Sequence, residues 1–188
     1  MPTFKALAIG GSAGAIETLK QILPHLPASR DFAVIVTLHL LPRGQSLLAT
    51  IFRERCPWPT KEAESTEPIL PGVVYFAPAD YDLSVELDRT FSLSNEEPVM
   101  FSRPSIDLFL VSAASVFKGE LIALLTSGAN SDGANGLLEV IRRGGTAFAQ
   151  APETAEFPEM PKAALKLSKD VRSLTPKEMV EFLNGRIS

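Results

Sequence analysis

The chain has little of what several large classes of protein require. Its 188 residues include a single cysteine, so no disulfide can form within the chain. No apolar run is long enough to span a bilayer, and no basic segment with an apolar core marks the N-terminus as a signal peptide. Acidic residues outnumber basic ones by 22 to 18, and the net charge of −4 gives no electrostatic reason to expect nucleic acid as a partner. We therefore expect one cytoplasmic domain over residues 1–188, without membrane insertion.

Reactive side chains are also scarce, which restricts the chemistry. The only histidines are His25 and His39, and Cys56 lies beside Pro57 and Trp58 with neither histidine near it in sequence. We expect Cys56 to pack against its neighbours rather than to react. The sequence shows no cluster of metal ligands. We therefore expect neither a metal nor a cofactor.

What the chain does contain is a series of apolar runs that alternate with helical patterns. Runs at 4–9, 32–38 and 121–125 are rich in strand formers, as in strands buried on both faces of a parallel sheet. The first two are joined by a helix, which makes a right-handed crossover. Further strands are predicted at 60–63, 73–77 and 146–149, a hairpin at 83–87 and 90–93, and helices at 15–23, 45–55, 103–117, 137–143 and 175–183. The stretch after Gln150, which contains Phe157 and Met160-Pro161, is predicted to be a loop.

The first strand leads directly into the most informative motif of the chain. Gly10-x-Ser12-x-Gly14 follows an apolar run and precedes a helical pattern, which is the arrangement of a nucleophile elbow. Small neighbours allow the backbone to turn sharply and leave the hydroxyl exposed. The N-terminus of the following helix favours negative charge, including charge that develops on an oxyanion. Ser12 is therefore the candidate nucleophile.

A serine hydroxyl needs a base to take its proton, and His39 is the better placed of the two histidines. It comes directly after the second apolar run, so it is expected at the same sheet edge as Ser12. His25 follows the first helix at the end far from Ser12. Because a helix of about ten residues is roughly 15 Å long, we expect His25 to be a surface residue.

The base in turn needs a carboxylate that holds its tautomer and stabilises the imidazolium. We choose Asp132, which lies in a glycine-rich loop after the apolar run at 121–125. An aspartate beside a glycine is also ordinary turn chemistry, so a structural role for Asp132 stays open. Asp80 and Asp107 are competitors, and Asp107 is already accounted for by its place in the first turn of a helix.

The chain order Ser, His, Asp excludes one fold and argues against another. An α/β-hydrolase has the order Ser, acid, His, and no histidine follows Asp132 here. In a dinucleotide-binding G-x-G-x-x-G motif, Ser12 would replace the second glycine. His39 would also stand where an acid for the ribose is expected.

Several segments in the same order resemble the catalytic domain of CheB-type chemotaxis protein-glutamate methylesterases. The resemblance implies a doubly wound, mostly parallel α/β sheet with helices on both faces in three layers. It also implies a triad of Ser12, His39 and Asp132 that hydrolyses glutamate methyl esters on the cytoplasmic helices of methylated chemoreceptors, or on a similar protein, and deamidates some glutamines. The matching parts are the Ser12 turn, His39, and residues 71–78, 103–107, 127–136 and 160–161.

The chain departs from the pattern of this family in two places. Typical members have Gly-Met-Gly where this chain has Gly128-Ala129-Asn130, which bears on substrate contacts and rate. Typical members also carry a phospho-acceptor receiver domain before the first catalytic strand, so a separate regulatory protein is expected here. Two other hypotheses remain: a non-catalytic binding module of the same fold, and an esterase that acts on a small-molecule ester.

Overall fold

In the computed structural model, residues 5–39, 47–95 and 104–185 are described. The predicted strand residue Phe4, the first residues of the predicted helix at 45–55, and Arg103 lie outside these ranges. The strands are β1 Lys5–Gly11, β2 Phe32–Leu38, β3 Thr60–Glu62, β4 Val74–Phe76, β5 Asp82–Val85, β6 Phe91–Ser94, β7 Leu121–Leu125, β8 Thr146–Gln150 and β9 Arg172–Leu174. The helices are α1 Ala15–Ile22, α2 Leu48–Arg53, α3 Ile106–Phe117, α4 Ala134–Arg142, α5 Glu159–Leu167 and α6 Pro176–Leu183.

Seven of the strands form one parallel sheet in the order β3-β4-β2-β1-β7-β8-β9. Strands β5 and β6 form a separate antiparallel hairpin that packs against α3. The buried residues of the central strands β1 and β2 are apolar or glycine except for Thr37, which is close to the expected pattern for strands covered on both faces. The predicted doubly wound α/β fold is therefore confirmed.

Helices cover both faces of the sheet and divide the core in two. On one face, α1, α2 and α6 pack over Leu7, Ile9 and Val36. On the other face, α3, α4 and α5 pack over Ala8 and Ile35. The alternation of side chains along each strand sends successive residues to opposite faces, so the single sheet separates two apolar layers. The result is the three-layer α/β/α arrangement.

The direction of winding reverses between β1 and β7. The chain leaves β1 into α1 on one face, and it leaves β7 into α4 on the other face. Loops that diverge in this way open a crevice at the carboxyl ends of the two strands, where ligands bind in sheets of this kind. Ser12 follows β1 and Asp132 follows β7, so both lie at this switch point.

The structure corrects the sequence prediction in the last third of the chain. The region after Gln150 is not simply a loop, since it contains α5 and the edge strand β9. Pro158 precedes α5 and Pro161 lies in its first turn, where a proline is tolerated because those N–H groups have no partner within the helix. Helix α4 begins at Ala134, three residues before the predicted start at 137.

The remaining elements lie close to their predicted positions. The hairpin predicted at 83–87 and 90–93 has its strands at 82–85 and 91–94, so the connection between them is longer than predicted. It contains Asp88 and Arg89, with Arg89 at a positive φ of 63°. Asp88 accepts hydrogen bonds from the backbone and hydroxyl of Thr90, which stabilises the turn. No helix in the described part of the chain is long and apolar enough to cross a membrane.

Candidate active site

Ser12 continues the ladder of β1 by one residue beyond the strand. Its N–H donates to the carbonyl of Ser127 on the β7 side at 2.8 Å. On the β2 side, the N–H of His39 donates to the carbonyl of Gly11 at 3.1 Å. Ser12 therefore has His39 and Ser127 as its neighbours in the sheet, and adjacent parallel strands are about 4.8 Å apart.

Two glycines make the turn from β1 into α1 possible. Gly14 has a φ of 78°, and a Cβ built on it would lie 2.6 Å from the Ser127 hydroxyl oxygen. Only glycine meets both conditions without strain. A Cβ on Gly11 would lie 2.6 Å from the Cβ of Ala15, so the strand and the helix approach each other too closely for a side chain there. The predicted strand-to-helix turn at Ser12 is confirmed.

The side chains of Ser12 and His39 are expected on the same face of the sheet. Position 10 faces Ile106 and Leu125 on the α3 side, and alternation gives Ser12 the same direction. Leu38 packs on the opposite face, so His39 also turns toward α3 and α4. Among the described residues, the Ser12 hydroxyl makes no hydrogen bond to the His39 ring.

Asp132 meets His39 directly. His39 Nε2 lies 2.7 Å from Asp132 Oδ2, and both side chains are largely buried, with 13% and 16% exposed. The Asp132 carboxylate also accepts the backbone N–H groups of Ile106 at 2.8 Å, Asp107 at 3.0 Å and Gly133 at 2.9 Å. Four donors thus converge on one carboxylate, and its orientation toward the imidazole is set by the start of α3.

These donors decide the charge state of Asp132. Burial by itself would raise the pKa of this carboxyl. The hydrogen bonds from His39 and from the backbone of Ile106 and Asp107 outweigh burial, and the pKa of Asp132 is lowered from its ordinary value. Asp132 is therefore ionised at neutral pH, as a group that orients a catalytic histidine must be.

The competing candidates have other places in the fold. Asp107 accepts the N–H of Gly136 in α4 at 2.6 Å, so it caps that helix instead of contacting His39. Asp80 lies in an exposed turn at a positive φ of 64°.

His25 is exposed at the end of α1, as predicted. Cys56 is half-buried against the core, where burial raises the pKa of its thiol, so the prediction that it packs is confirmed.

Ser127 and Gln150 support the site and were missed by the sequence analysis. The Ser127 hydroxyl donates to the carbonyl of Ala13 at 2.7 Å and accepts the N–H of Phe157 at 2.9 Å. Its own N–H donates to Gln150 Oε1 at 3.0 Å. Both residues are buried at the carboxyl end of an apolar strand, the same signal that singled out Ser12 and His39. Sequence alone does not show that their side chains turn inward to join the loops after β1, β7 and β8.

The arrangement has the parts of a nucleophilic hydrolase. An oriented imidazole lies beside a serine on a tight strand-to-helix turn, and a buried, ionised carboxylate holds the ring. Such a group can transfer an acyl group from an ester through a covalent serine intermediate. In the described part of the chain, no three His, Cys, Asp or Glu side chains are grouped so as to hold a metal ion.

Comparison with known proteins gives a consistent result. The chain is 42% identical over 179 residues to a Leptospira interrogans protein provisionally named protein-glutamate methylesterase/protein-glutamine glutaminase, covering 95% of this chain and 93% of that one. It is 32% identical over 165 residues to the Thermotoga maritima protein-glutamate methylesterase/protein-glutamine glutaminase, covering 86% of this chain but only 48% of the relative. The chain therefore spans about half the length of the Thermotoga protein.

The fold agrees with a solved structure. The crystal structure of the Thermotoga maritima CheB methylesterase catalytic domain superposes with a TM-score of 0.92 at 29% identity, and the match covers 99% of this chain and all of that domain. Residues 7–183 match the sequence profile of the CheB methylesterase family. On sequence and structure together, the chain belongs to the CheB methylesterase family.

Proposed function

We propose that the chain hydrolyses glutamate methyl esters on proteins, with Ser12 as nucleophile, His39 as general base and Asp132 as the group that orients His39. Residues 1–188 act as one catalytic domain. The observation that carries the proposal is the 2.7 Å contact between His39 and a buried Asp132, next to a serine on a strand-to-helix turn. Chemistry of this kind requires the nucleophile, the base and the orienting acid within reach of one another.

The reaction proceeds through an acyl-enzyme. His39 Nδ1 takes the hydroxyl proton as Ser12 Oγ attacks the ester carbonyl carbon, and Nδ1 then returns the proton to the departing methoxy oxygen, which leaves as methanol. Water attacks the acyl-enzyme with His39 again as base, which releases the glutamate carboxylate and regenerates the serine. Asp132 stays ionised and stabilises the imidazolium of each step.

Backbone N–H groups after the nucleophile stabilise the oxyanion. The N–H groups of Ala13 and Gly14 donate to no described residue, and both lie at the N-terminal end of α1. In a nucleophile elbow the residue after the serine supplies one such donor. Each donor of this type contributes about 3–4 kcal/mol to the transition state.

Membership of the family supports the substrate class that we propose. Relatives named protein-glutamate methylesterase/protein-glutamine glutaminase cover nearly the whole chain, so the substrates that we propose are methylated glutamates on the cytoplasmic helices of chemoreceptors, or on a similar protein. The same acyl-enzyme would form from a glutamine side chain with ammonia as leaving group. We place the reaction in the cytoplasm for the same reason.

Methanol release from a panel of methylated receptor fragments tests the proposal. Ser12→Ala is expected to lower kcat on the order of 10⁶-fold, because removal of the nucleophile removes the covalent route. Ser131→Ala is the matched control, since Ser131 is an exposed serine of the neighbouring loop, and it is expected to keep full activity.

Labelling with a fluorophosphonate distinguishes the alternatives. A wild-type chain that is not labelled at Ser12 contradicts the hydrolase proposal and favours a binding module. Labelling together with turnover of small esters, but not of methylated receptor, favours a small-molecule esterase.

A further inference from the structure

Asn130 lies against the side of the His39 ring that Asp132 does not touch. Its Nδ2 is 3.4 Å from His39 Nδ1, and its Oδ1 accepts the backbone N–H of Asp132 at 3.1 Å. The second bond determines the orientation of the amide, because only the carbonyl oxygen can accept an N–H. The amide nitrogen must therefore be the end that faces the imidazole.

The two contacts of His39 define its tautomer. The Asp132 carboxylate is ionised and can only accept, so Nε2 carries the ring hydrogen and donates to it. Nδ1 then carries a lone pair, and the N–H of Asn130 donates to that lone pair. Both ring nitrogens are thus engaged in this state of the site.

Nδ1 is also the only nitrogen that can take the proton of Ser12, because Nε2 is bound to Asp132. One lone pair accepts one strong hydrogen bond, and the Ser12 hydroxyl makes none to the described ring atoms. We propose that Asn130 occupies the basic nitrogen of His39 in the resting site and competes with Ser12 for it. The inference rests on the proposed function, in which His39 is the base.

Asn130 is thus a positioning residue that acts through His39. Its side chain is exposed at the mouth of the site, so a bound substrate can displace the amide without disturbing the core. When Nδ1 becomes protonated, it loses its lone pair and the two N–H groups no longer attract. The amide must leave Nδ1 before Ser12 can donate its proton there, and it does not return while Nδ1 is protonated. Asn130 holds the correct tautomer at rest but slows the first proton transfer.

The rate of Ser12 labelling by a fluorophosphonate measures this competition. In that reaction the Oγ–P bond forms, the P–F bond breaks with loss of fluoride, and the hydroxyl proton passes to Nδ1. Asn130→Ser removes the amide that reaches the ring, while its short hydroxyl still accepts the N–H of Asp132 in a turn. At 3.4 Å the contact is a weak hydrogen bond, which corresponds to about a 2- to 3-fold change in rate, so Asn130→Ser is expected to be labelled faster by that factor.

Asn135→Ala is the matched control. Asn135 is an exposed asparagine in the first turn of α4 whose amide donates to Asp107 at 3.3 Å and not to His39. Its replacement is expected to leave the labelling rate unchanged. Asn130→Ala removes the turn bond to Asp132 as well as the amide, so it is expected to be accelerated less than Asn130→Ser.

Nitrogen NMR of the two histidines gives a readout that does not depend on catalysis. The wild type is expected to show His39 with a hydrogen on Nε2 and none on Nδ1, and Asn130→Ser is expected to move the Nδ1 resonance, because Asn130 no longer donates to its lone pair. An unchanged resonance, or labelling of Asn130→Ser no faster than wild type, overturns the inference. If the wild type is not labelled at Ser12, the proposed function itself fails.

Discussion

Side chains accept N–H groups at the start of both α6 and α3, but these side chains lie at different distances along the chain from the helix they cap. In α6, Thr175 and Glu178 form a capping box, with the Thr175 hydroxyl accepting the Glu178 N–H at 3.2 Å. In α3, Ser105 accepts the N–H of Leu108, and the carboxylate of Asp132, 26 residues after Ile106, accepts the first two N–H groups of the helix. The first arrangement is local and the second joins two loops.

The cap on α3 is reciprocated by a cap on α4. Asp107, in the first turn of α3, accepts the N–H of Gly136 in the first turn of α4. Helix α3 therefore contributes the carboxylate of Asp107 to the start of α4, and the loop before α4 contributes the carboxylate of Asp132 to the start of α3. A local cap stabilises one helix, whereas this exchange also holds two helices at a defined distance. That distance positions the carboxylate that His39 needs.

The two exchanged carboxylates differ in their electrostatics. Burial raises the pKa of Asp107, with the nearby charge of Asp132 adding to the effect, and the Gly136 N–H offsets only part of it. For Asp132, burial is outweighed by its donors and the pKa is lowered. The difference follows from which groups face each carboxylate, since Asp132 accepts from His39 and the α3 backbone, whereas Asp107 lies near the negative charge of Asp132. Two neighbouring aspartates can therefore have opposite pKa shifts in similar surroundings.

The largest expected difference between the two carboxylates is in activity. Asp132→Asn is expected to lower kcat about 10⁴-fold, because an amide cannot hold the Nε2–H tautomer or stabilise the imidazolium. Asp107→Asn is expected to change kcat by less than about tenfold, since the substituted side chain does not touch His39. The measurement is methanol release from a methylated receptor fragment. Comparable losses in the two variants would contradict the distinct roles of the two residues.

The second expected difference between Asp132 and Asp107 is in the pH dependence of stability. The pKa of Asp132 is lower in the folded than in the unfolded chain, so ionised Asp132 stabilises the fold. This stabilisation is complete above the unfolded-state pKa of about 3.9, and it is lost as the pH falls through the folded-state pKa. The raised pKa of Asp107 has the opposite sign, so the wild type gains stability from that group as the pH falls through the raised value.

Urea unfolding of three chains between pH 3 and pH 7 tests the signs. The stability of the wild type relative to Asp132→Asn should decrease toward acid pH. Its stability relative to Asp107→Asn should increase over the same range. If the free energies of unfolding of the two variants changed with pH in parallel, the two carboxylates would not have opposite pKa shifts.

The smallest expected effect is at the local cap. Thr175→Ala is expected to lower the free energy of unfolding by about 1 kcal/mol, because an N–H at the start of α6 loses its acceptor. Thr175→Ser keeps the hydroxyl and should lose much less. Neither change should alter the rate of Ser12 labelling, since α6 lies on the face of the sheet opposite α3 and α4. A loss of labelling would mean that the local cap also supports the site.

The sequence predicted the elements that have a strong local pattern. The apolar runs that became β1, β2 and β7, and the capping box at Thr175, were located within a residue or two. Helix α5 was missed because Pro158 and Pro161 favour a loop, and only packing of Met160 and Ala164 against the sheet makes it a helix. Strand β9 is a short, partly exposed edge strand, and such a strand has no alternation to detect.

The candidate site was predictable for a topological reason. Ser12, His39 and Asp132 each follow an apolar strand, and parallel strands bring their carboxyl ends to one edge. The sequence therefore predicted that His39 and Asp132 lie close together. The partners of Asp132 were not predicted, because Ile106 and Asp107 belong to a helix that the sequence places in no particular relation to the loop.

By itself, the sequence determined which residues could carry the chemistry and on which sheet edge they would meet, because strand order and apolar runs are local properties of the chain. Only the tertiary structure decided that Asp132 contacts His39 while Asp107 caps α4, and that Asn130 contacts His39 Nδ1. These assignments depend on how α3 and α4 pack against each other. Packing distances between helices far apart in sequence are not encoded in any single stretch of residues.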